Sequence, residues 1–160
     1  MEETIEPGNY PPVRMLHMSD LHIGNDYYAS EALIGFERGL ALGLENQTDI
    51  LLIAGDLFDN DRIERVVIER VWALLADFRR PTVVLPGNHD TTLLKESSLR
   101  NVPPSVKVIQ NRIGEFVTLE RNRVSIWGKP VYEHIPSFRP MSGIPDRPRN
   151  NWYVVMAHGL

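Results

Sequence analysis

The chain has 160 residues, 42% hydrophobic and 24% charged, with 12 prolines and 11 glycines. That is ordinary globular composition and enough chain for one domain with its own core. It contains no cysteine, which excludes disulfides, thiolate zinc sites, iron–sulfur clusters and cysteine nucleophiles, so any metal must be held by oxygen and imidazole. No uncharged apolar run approaches the roughly 18 residues of a membrane span, and Met1-Glu2-Glu3-Thr4-Ile5-Glu6 is acidic where a signal peptide is basic. A cytoplasmic protein with no membrane partner is expected. The net charge of −4 conceals an asymmetry: residues 1–90 carry 7 basic and 16 acidic side chains, residues 91–160 carry 10 and 5. An acidic half suits cation ligands and a basic half suits an anionic substrate, although charge runs are more often solvated faces.

Residues 1–12, with Pro7-Gly8 and Pro11-Pro12, read as an irregular tail, and 13–160 as the folded domain. Val13 to Met18 is a short strand. From about Ser30 to Glu45, Leu33, Phe36, Leu40 and Leu44 recur at helical spacing, while Gly35, Gly39 and Gly43 make a bare stripe that permits close packing on a sheet. Ile50 to Ala54 is a continuous apolar run, the pattern of a strand buried on both faces of a parallel sheet. Asp61-Arg62-Ile63-Glu64 has the spacing of a capping box with Asp61 as the cap, and Ile63, Val66, Val67, Val71, Leu74, Leu75 and Phe78 hold one face until Arg79-Arg80-Pro81 stops the helix. Thr82 to Leu85 is a third buried strand. Shorter strands are predicted near Val106–Ile109, Glu115–Leu119, Arg123–Trp127 and Trp152–Met156, and the proline-rich stretch 136–151 reads as a long surface loop. The order defines an α/β layered domain with a parallel first portion.

Each of four strands runs directly into a polar cluster: Ser19-Asp20-Leu21-His22, Gly55-Asp56-Leu57-Phe58-Asp59, Gly87-Asn88-His89-Asp90 and Ala157-His158-Gly159. In an open α/β sheet the carboxyl ends of parallel strands share one edge, so these groups converge although distant in sequence. The spacings agree, since 36 residues separate Asp20 from Asp56 and 32 separate Asp56 from Asn88, each about one βαβ unit. What converges is a set of oxygen and imidazole donors without a hydroxyl or thiol nucleophile, and crowded carboxylates there call for divalent cations. Any one of these short patterns is common by chance, because an Asp after a strand is often a cap or turn former. Four together, each at a strand exit and with His22, His158 and Asn88 among them, are not explained by capping.

Asp-x-His, Gly-Asp-x-x-Asp, Gly-Asn-His-Asp and a later His-Gly, in this order, resemble the calcineurin-like metallophosphoesterase superfamily over residues 15–160. The resemblance implies a layered α-β-β-α sandwich with a two-metal phosphoesterase site. Carried over by motif, Asp20 and His22 hold one ion, Asp56 bridges, and Asn88 and His158 hold the other. His89 contacts the scissile phosphate or protonates the leaving oxygen, and Asp90 orients its ring. Two such ions polarise the phosphoryl group and acidify a bridging water, and an imidazole beside a carboxylate suits an acid role near neutral pH. Mn²⁺ is the expected metal, with Fe, Zn²⁺ or Ni²⁺ as alternatives.

His17 through Gly24, taken with Gly55 through Asp59, is similar to the DNA-repair exonuclease branch, while the protein Ser/Thr phosphatase branch fits poorly because Asp59-Asn60-Asp61 and Asp90 stand where it has Asp-Arg-Gly and Glu. The expected activity is phosphodiester hydrolysis on DNA, a nucleotide or another small phosphodiester. The alternative is a catalytically inactive scaffold, as the retromer subunit of this fold is. Arg121, Arg123, Lys129, Arg139, Arg147 and Arg149 offer a local basic face for a polyanion. The superfamily pattern also includes a Gly-His-x-His turn after the His-Gly motif, and the chain stops at Leu160. The expectation is therefore a domain lacking its last strands and one histidine per metal. His17 and His134 are read as structural.

Overall fold

A computed structural model describes residues 10–25, 27–90, 93, 99, 101–132 and 135–159. His134, residues 1–9 of the tail and most of the loop after Asp90 lie outside the described residues. Among the described residues seven strands and two α-helices follow one another as β1 (Met15–Met18), α1 (Ala29–Glu45), β2 (Ile50–Ala54), α2 (Arg65–Phe78), β3 (Thr82–Leu85), β4 (Val106–Val108), β5 (Glu115–Leu119), β6 (Val124–Gly128) and β7 (Trp152–Met156). The first four strands form a parallel sheet in the order β1-β2-β3-β4, and the last three a second sheet in which β6 pairs antiparallel with β5 and parallel with β7.

Strand β2 is buried along its whole length because its side chains alternate between two cores. Leu51 and Ile53 pack with Phe36 and Leu40 of α1 and with Val71, Leu75 and Phe78 of α2. Ile50, Leu52 and Ala54 meet Val124 and Ile126 of β6 and Met156 of β7. The layers are thus helices, parallel sheet, mixed sheet. Among the described residues no helix covers the outer face of the mixed sheet, so the fourth layer of the expected sandwich is not formed by them.

The glycine stripe of α1 works as expected at two of its three positions. A Cβ on Gly43 would meet Leu16 of β1 and Phe78 of α2, and one on Gly39 would collide with Met18, whereas one on Gly35 would meet nothing within 4 Å. Glycine lets the helix backbone lie directly on β1 there, while Leu44, expected on the packed face, is 44% exposed. The start of α2 differs from expectation. The helix begins at Arg65 with Glu64 in an extended conformation at its cap and no side-chain cap bond. Asn60 accepts the N–H of Arg62 in a local turn, which removes residues 61–63 from the helical path. Val66 consequently faces solvent, and Ile68, Val71, Trp72, Leu75 and Phe78 form the buried face. Strand β1 is also shorter than read, since pairing begins at Met15 opposite Ile50. The segment 136–151 forms turns without regular structure, as its prolines require.

Candidate active site

All four polar clusters lie at one edge. The exits of β1 and β2 are joined through their backbones: Asp20 N–H donates to Gly55 O at 3.1 Å, His22 N–H to Asp56 O at 3.0 Å and Ile23 N–H to Leu57 O at 3.0 Å. Asp20, His22 and Asp56 all have positive φ, at 54°, 45° and 52°, the left-handed region that favours glycine and costs L-residues about 1–3 kcal/mol each. These bends turn the chain sharply off the strand ends, and the backbone bonds across the two loops offset their strain. Gly87 and Gly55 leave room for two of the polar side chains: a Cβ on Gly87 would collide with Asp56 and one on Gly55 with the His158 ring.

Asp56 is buried and central. Its Oδ1 accepts the His89 backbone N–H at 3.0 Å, while Oδ2 lies 3.3 Å from His158 Nε2 and 3.8 Å from His22 Nε2. His158 Nδ1 sits 3.1 Å from the carbonyl of Ala54, which places the proton there and leaves Nε2 as a lone pair in the neutral ring. That lone pair faces Asn88 Oδ1 at 3.1 Å as well as Asp56 Oδ2, so three acceptors converge with no donor among them. Ligand atoms of Asp20, His22 and Asp56 likewise lie within 4.8 Å of one another. Both sets fit a divalent cation in donor chemistry, since oxygen and imidazole with no thiolate suit the harder first-row ions. His17, expected to be structural, is exposed and lines the same cavity of about 400 Å³ as Asp20, Asp56, Asn88 and His158.

Two positions differ from the sequence reading. Asp90 does not orient the His89 ring. It is fully buried, and its carboxylate accepts backbone N–H groups from Phe58 at 2.8 Å, Gly87 at 2.9 Å and Leu57 at 3.1 Å, clamping the second and third motif loops together. Burial pushes its carboxyl above the ordinary range, the three N–H donors pull it back, and the Asp56 carboxylate adds to the rise. The His89 ring instead places Nδ1 2.5 Å from the Asp59 carbonyl. Asp59 thus holds both histidines, because its Oδ1 is 3.1 Å from His22 Nδ1 and the two rings stand edge to face at 4.9 Å. Partial burial raises the Asp59 carboxyl, but hydrogen bonds from Asn25 and Asn60 and the charges of His22 and His89 outweigh it, leaving it below the ordinary range. The second Asp of Gly-Asp-x-x-Asp was the available signal for this role, and spacing alone did not say which ring it would meet.

The expected basic face is divided. Bonds from Val131 N–H to Pro86 O and between His158 and Ala54 bring the exits of β6 and β7 to the site edge. Lys129, directly after β6, is at that edge and donates to Ser142 Oγ and Arg139 O. Arg121 and Arg123 precede β6, and Arg147 and Arg149 precede β7, so these four stand at the opposite edge, away from the donor sets.

The sequence model of the calcineurin-like phosphoesterase family matches residues 13–160, and the chain belongs to that family. Among curated proteins it is similar to the DNA double-strand break repair protein Mre11 of Aeropyrum pernix, 32% identical over 95 residues that cover 54% of this chain and 23% of that one. It is also similar to the SbcD component of nuclease SbcCD of Escherichia coli, 33% identical over 86 residues covering 49% and 22%. The match therefore spans less than a quarter of either relative's length. Among solved structures, TT1561 of Thermus thermophilus shares the fold with a TM-score of 0.56 at 17% identity, covering 89% of this chain and 57% of that one.

Proposed function

We propose that the chain carries a binuclear, divalent-metal phosphodiesterase site and that residues 13–160 are the domain that builds it. The observation that carries this reading is the placement of Asp56 Oδ2 between two donor sets, Asp20 with His22 on one side and Asn88 with His158 on the other. Asp20, His22, Asp56, Asn88 and His158 would hold divalent ions there, which would neutralise the crowded acceptors and supply Lewis-acid chemistry for a phosphoryl oxygen and a water. The chain's own groups do the positioning. His89 N–H orients the bridging carboxylate through Oδ1, and Ala54 O sets the His158 tautomer. The exposed His89 ring, anchored by Nδ1 on Asp59 O, leaves Nε2 as the nitrogen placed for proton transfer to a leaving oxygen. The repair-protein and nuclease relatives support DNA or a nucleotide as substrate; the oxygen and imidazole donors suit Mn²⁺ as the metal, and the cytoplasm as the site of action rests on the acidic N-terminal sequence. Among the described residues no helix is long and apolar enough to cross a membrane.

Hydrolysis of bis(p-nitrophenyl) phosphate by this chain, with and without Mn²⁺, tests the reading with Asp56→Asn as the blank. Manganese-dependent turnover absent from the variant is the expected result. Turnover absent from the parent overturns it in favour of a scaffold with the same fold, and turnover equal in both overturns the placement of the chemistry at Asp56.

A further inference from the structure

His22 is drawn two ways. Its Nε2 lies 3.8 Å from Asp56 Oδ2, on the side of the donor sets, and its Nδ1 lies 3.1 Å from Asp59 Oδ1. The His89 ring stands edge to face with it at 4.9 Å. Ligand atoms of His22, Asp59 and His89 are thereby all within 4.8 Å of one another, a cluster that shares only His22 with the donor sets. It is held from outside. Asn25 Nδ2 donates to Asp59 Oδ1 and Asn60 Nδ2 to Asp59 Oδ2, both at 3.2 Å, which orients the carboxylate as outer contacts orient a metal ligand. The Asp59 carbonyl holds His89 Nδ1, and in the neutral ring this leaves the lone pair on Nε2. His89 is exposed, and the side chains of His22 and Asp59 are partly so, so an ion reaches the cluster from solvent. Two imidazoles and a carboxylate with a fourth position open form a zinc ligand set, in which tetrahedral ligand atoms stand about 3.4 Å apart. The separation of His22 Nδ1 from Asp59 Oδ1 is already close to that. Asp20, His22 and Asp56 offer two oxygens and one nitrogen, whereas the cluster offers two nitrogens and one oxygen, and imidazole favours Zn²⁺ over Mn²⁺.

We propose that His22 Nδ1, Asp59 Oδ1 and the His89 ring form a further divalent-cation site, selective for Zn²⁺, whose filling empties the set made by Asp20, His22 and Asp56. The exclusion follows from the single lone pair of a neutral imidazole. With the His22 proton on Nδ1 and shared with Asp59, the lone pair on Nε2 serves the donor set. With zinc on Nδ1 the proton resides on Nε2, where it faces Asp56 Oδ2, and that nitrogen no longer binds a cation. Zinc is therefore an inhibitor by two routes, since it withdraws a ligand from one ion and the His89 ring from proton transfer. This consequence rests on the phosphodiesterase reading; the site itself does not.

The test adds Zn²⁺ stepwise to the metal-free chain and reads its histidines by two-bond proton–nitrogen correlation spectra, which distinguish a metal-bound ring nitrogen from a protonated one. The expected result is zinc on Nδ1 of His22, the proton on its Nε2, and the His89 signals shifting in the same step. His89→Ala leaves Asp20, His22 and Asp56 whole, so it should weaken that step about 10-fold or more and return His22 to coordination through Nε2. Coordination of His22 through Nε2 in the parent, or a zinc step unchanged in His89→Ala, overturns the site. Electron paramagnetic resonance of the Mn²⁺-loaded chain tests the exclusion. Zinc should release manganese from the parent at concentrations about 10-fold below those that release it from His89→Ala, and manganese that stays bound while His22 Nδ1 holds zinc overturns the exclusion. A parent that binds no Mn²⁺ in the absence of zinc defeats the phosphodiesterase reading, while the His22 and His89 spectra still decide the zinc site.

Discussion

Asp90 and His89 are neighbours with opposite duties. Asp90 satisfies three buried N–H groups on two loops, so Asp90→Ala should lower stability by about 2–5 kcal/mol, with Asn intermediate because it keeps one acceptor oxygen. Urea unfolding of the metal-free proteins measures this. His89 is exposed, so His89→Ala should leave Mn²⁺ binding intact while lowering turnover by about 10²- to 10⁴-fold. Equal metal loss in His89→Ala and Asp56→Asn would defeat that division of labour. For Asp59, whose carboxylate fixes the His22 ring, replacement by Ala should weaken Mn²⁺ about 10- to 100-fold. Asn should restore part of the affinity, since its amide oxygen still accepts from Nδ1; titration calorimetry distinguishes the two. At this scale the sequence showed which residue types gather at the edge, yet it assigned the supporting hydrogen bonds poorly. Both Asp59 and Asp90 follow site residues in short motifs, and which ring or amide each one meets depends on the loop opposite, about 30 residues or more away.

The glycines of α1 separate helix propensity from packing. Gly43 lies against Leu16 and Phe78, so Gly43→Val should overpack the contact with β1 and cost about 1–3 kcal/mol. Gly35 meets nothing within 4 Å, so Gly35→Ala should stabilise by about 0.5–1 kcal/mol through propensity alone. Thermal unfolding of the two variants checks the opposite signs. Strands β2, β3, β5 and β7 match the expected bounds; for β2 and β3 the reason is plain, since their apolar runs are closed by Asp49 and Gly55 and by Pro81 and Pro86. The start of α2 was not legible, since Asp61 and Glu64 have cap spacing but Asn60 competes for the same backbone.

The molecule as a whole is electrically polarised along its strands. Strand exits present Asp20, Asp56, Asp59 and Asp90, while Arg121, Arg123, Arg147 and Arg149 stand at the opposite edge. Crowding acceptors at one edge makes the metal-free fold less stable than its core allows, and a cation that binds only the folded chain offsets that deficit. Mn²⁺ at about 100 times its dissociation constant should add about 2.7 kcal/mol. A chelator should remove the gain, and the melting temperature of Asp56→Asn should barely respond to manganese. A parent melting curve indifferent to Mn²⁺ would sink the donor-set assignment.

Periodicity and motif order in the sequence alone determined the parallel α/β portion and the meeting of Asp20, His22, Asp56, Asn88 and His158 at one edge, because strand direction forces successive exits together whatever the packing details. Only the tertiary structure decided that Asp56 Oδ2 faces both donor sets, that Asp59 rather than Asp90 anchors the histidines, and that Arg121, Arg123, Arg147 and Arg149 lie away from them. Those outcomes depend on ångström-scale approaches between loops remote in sequence, set by two close-packed glycines and by which buried N–H groups remain to be satisfied.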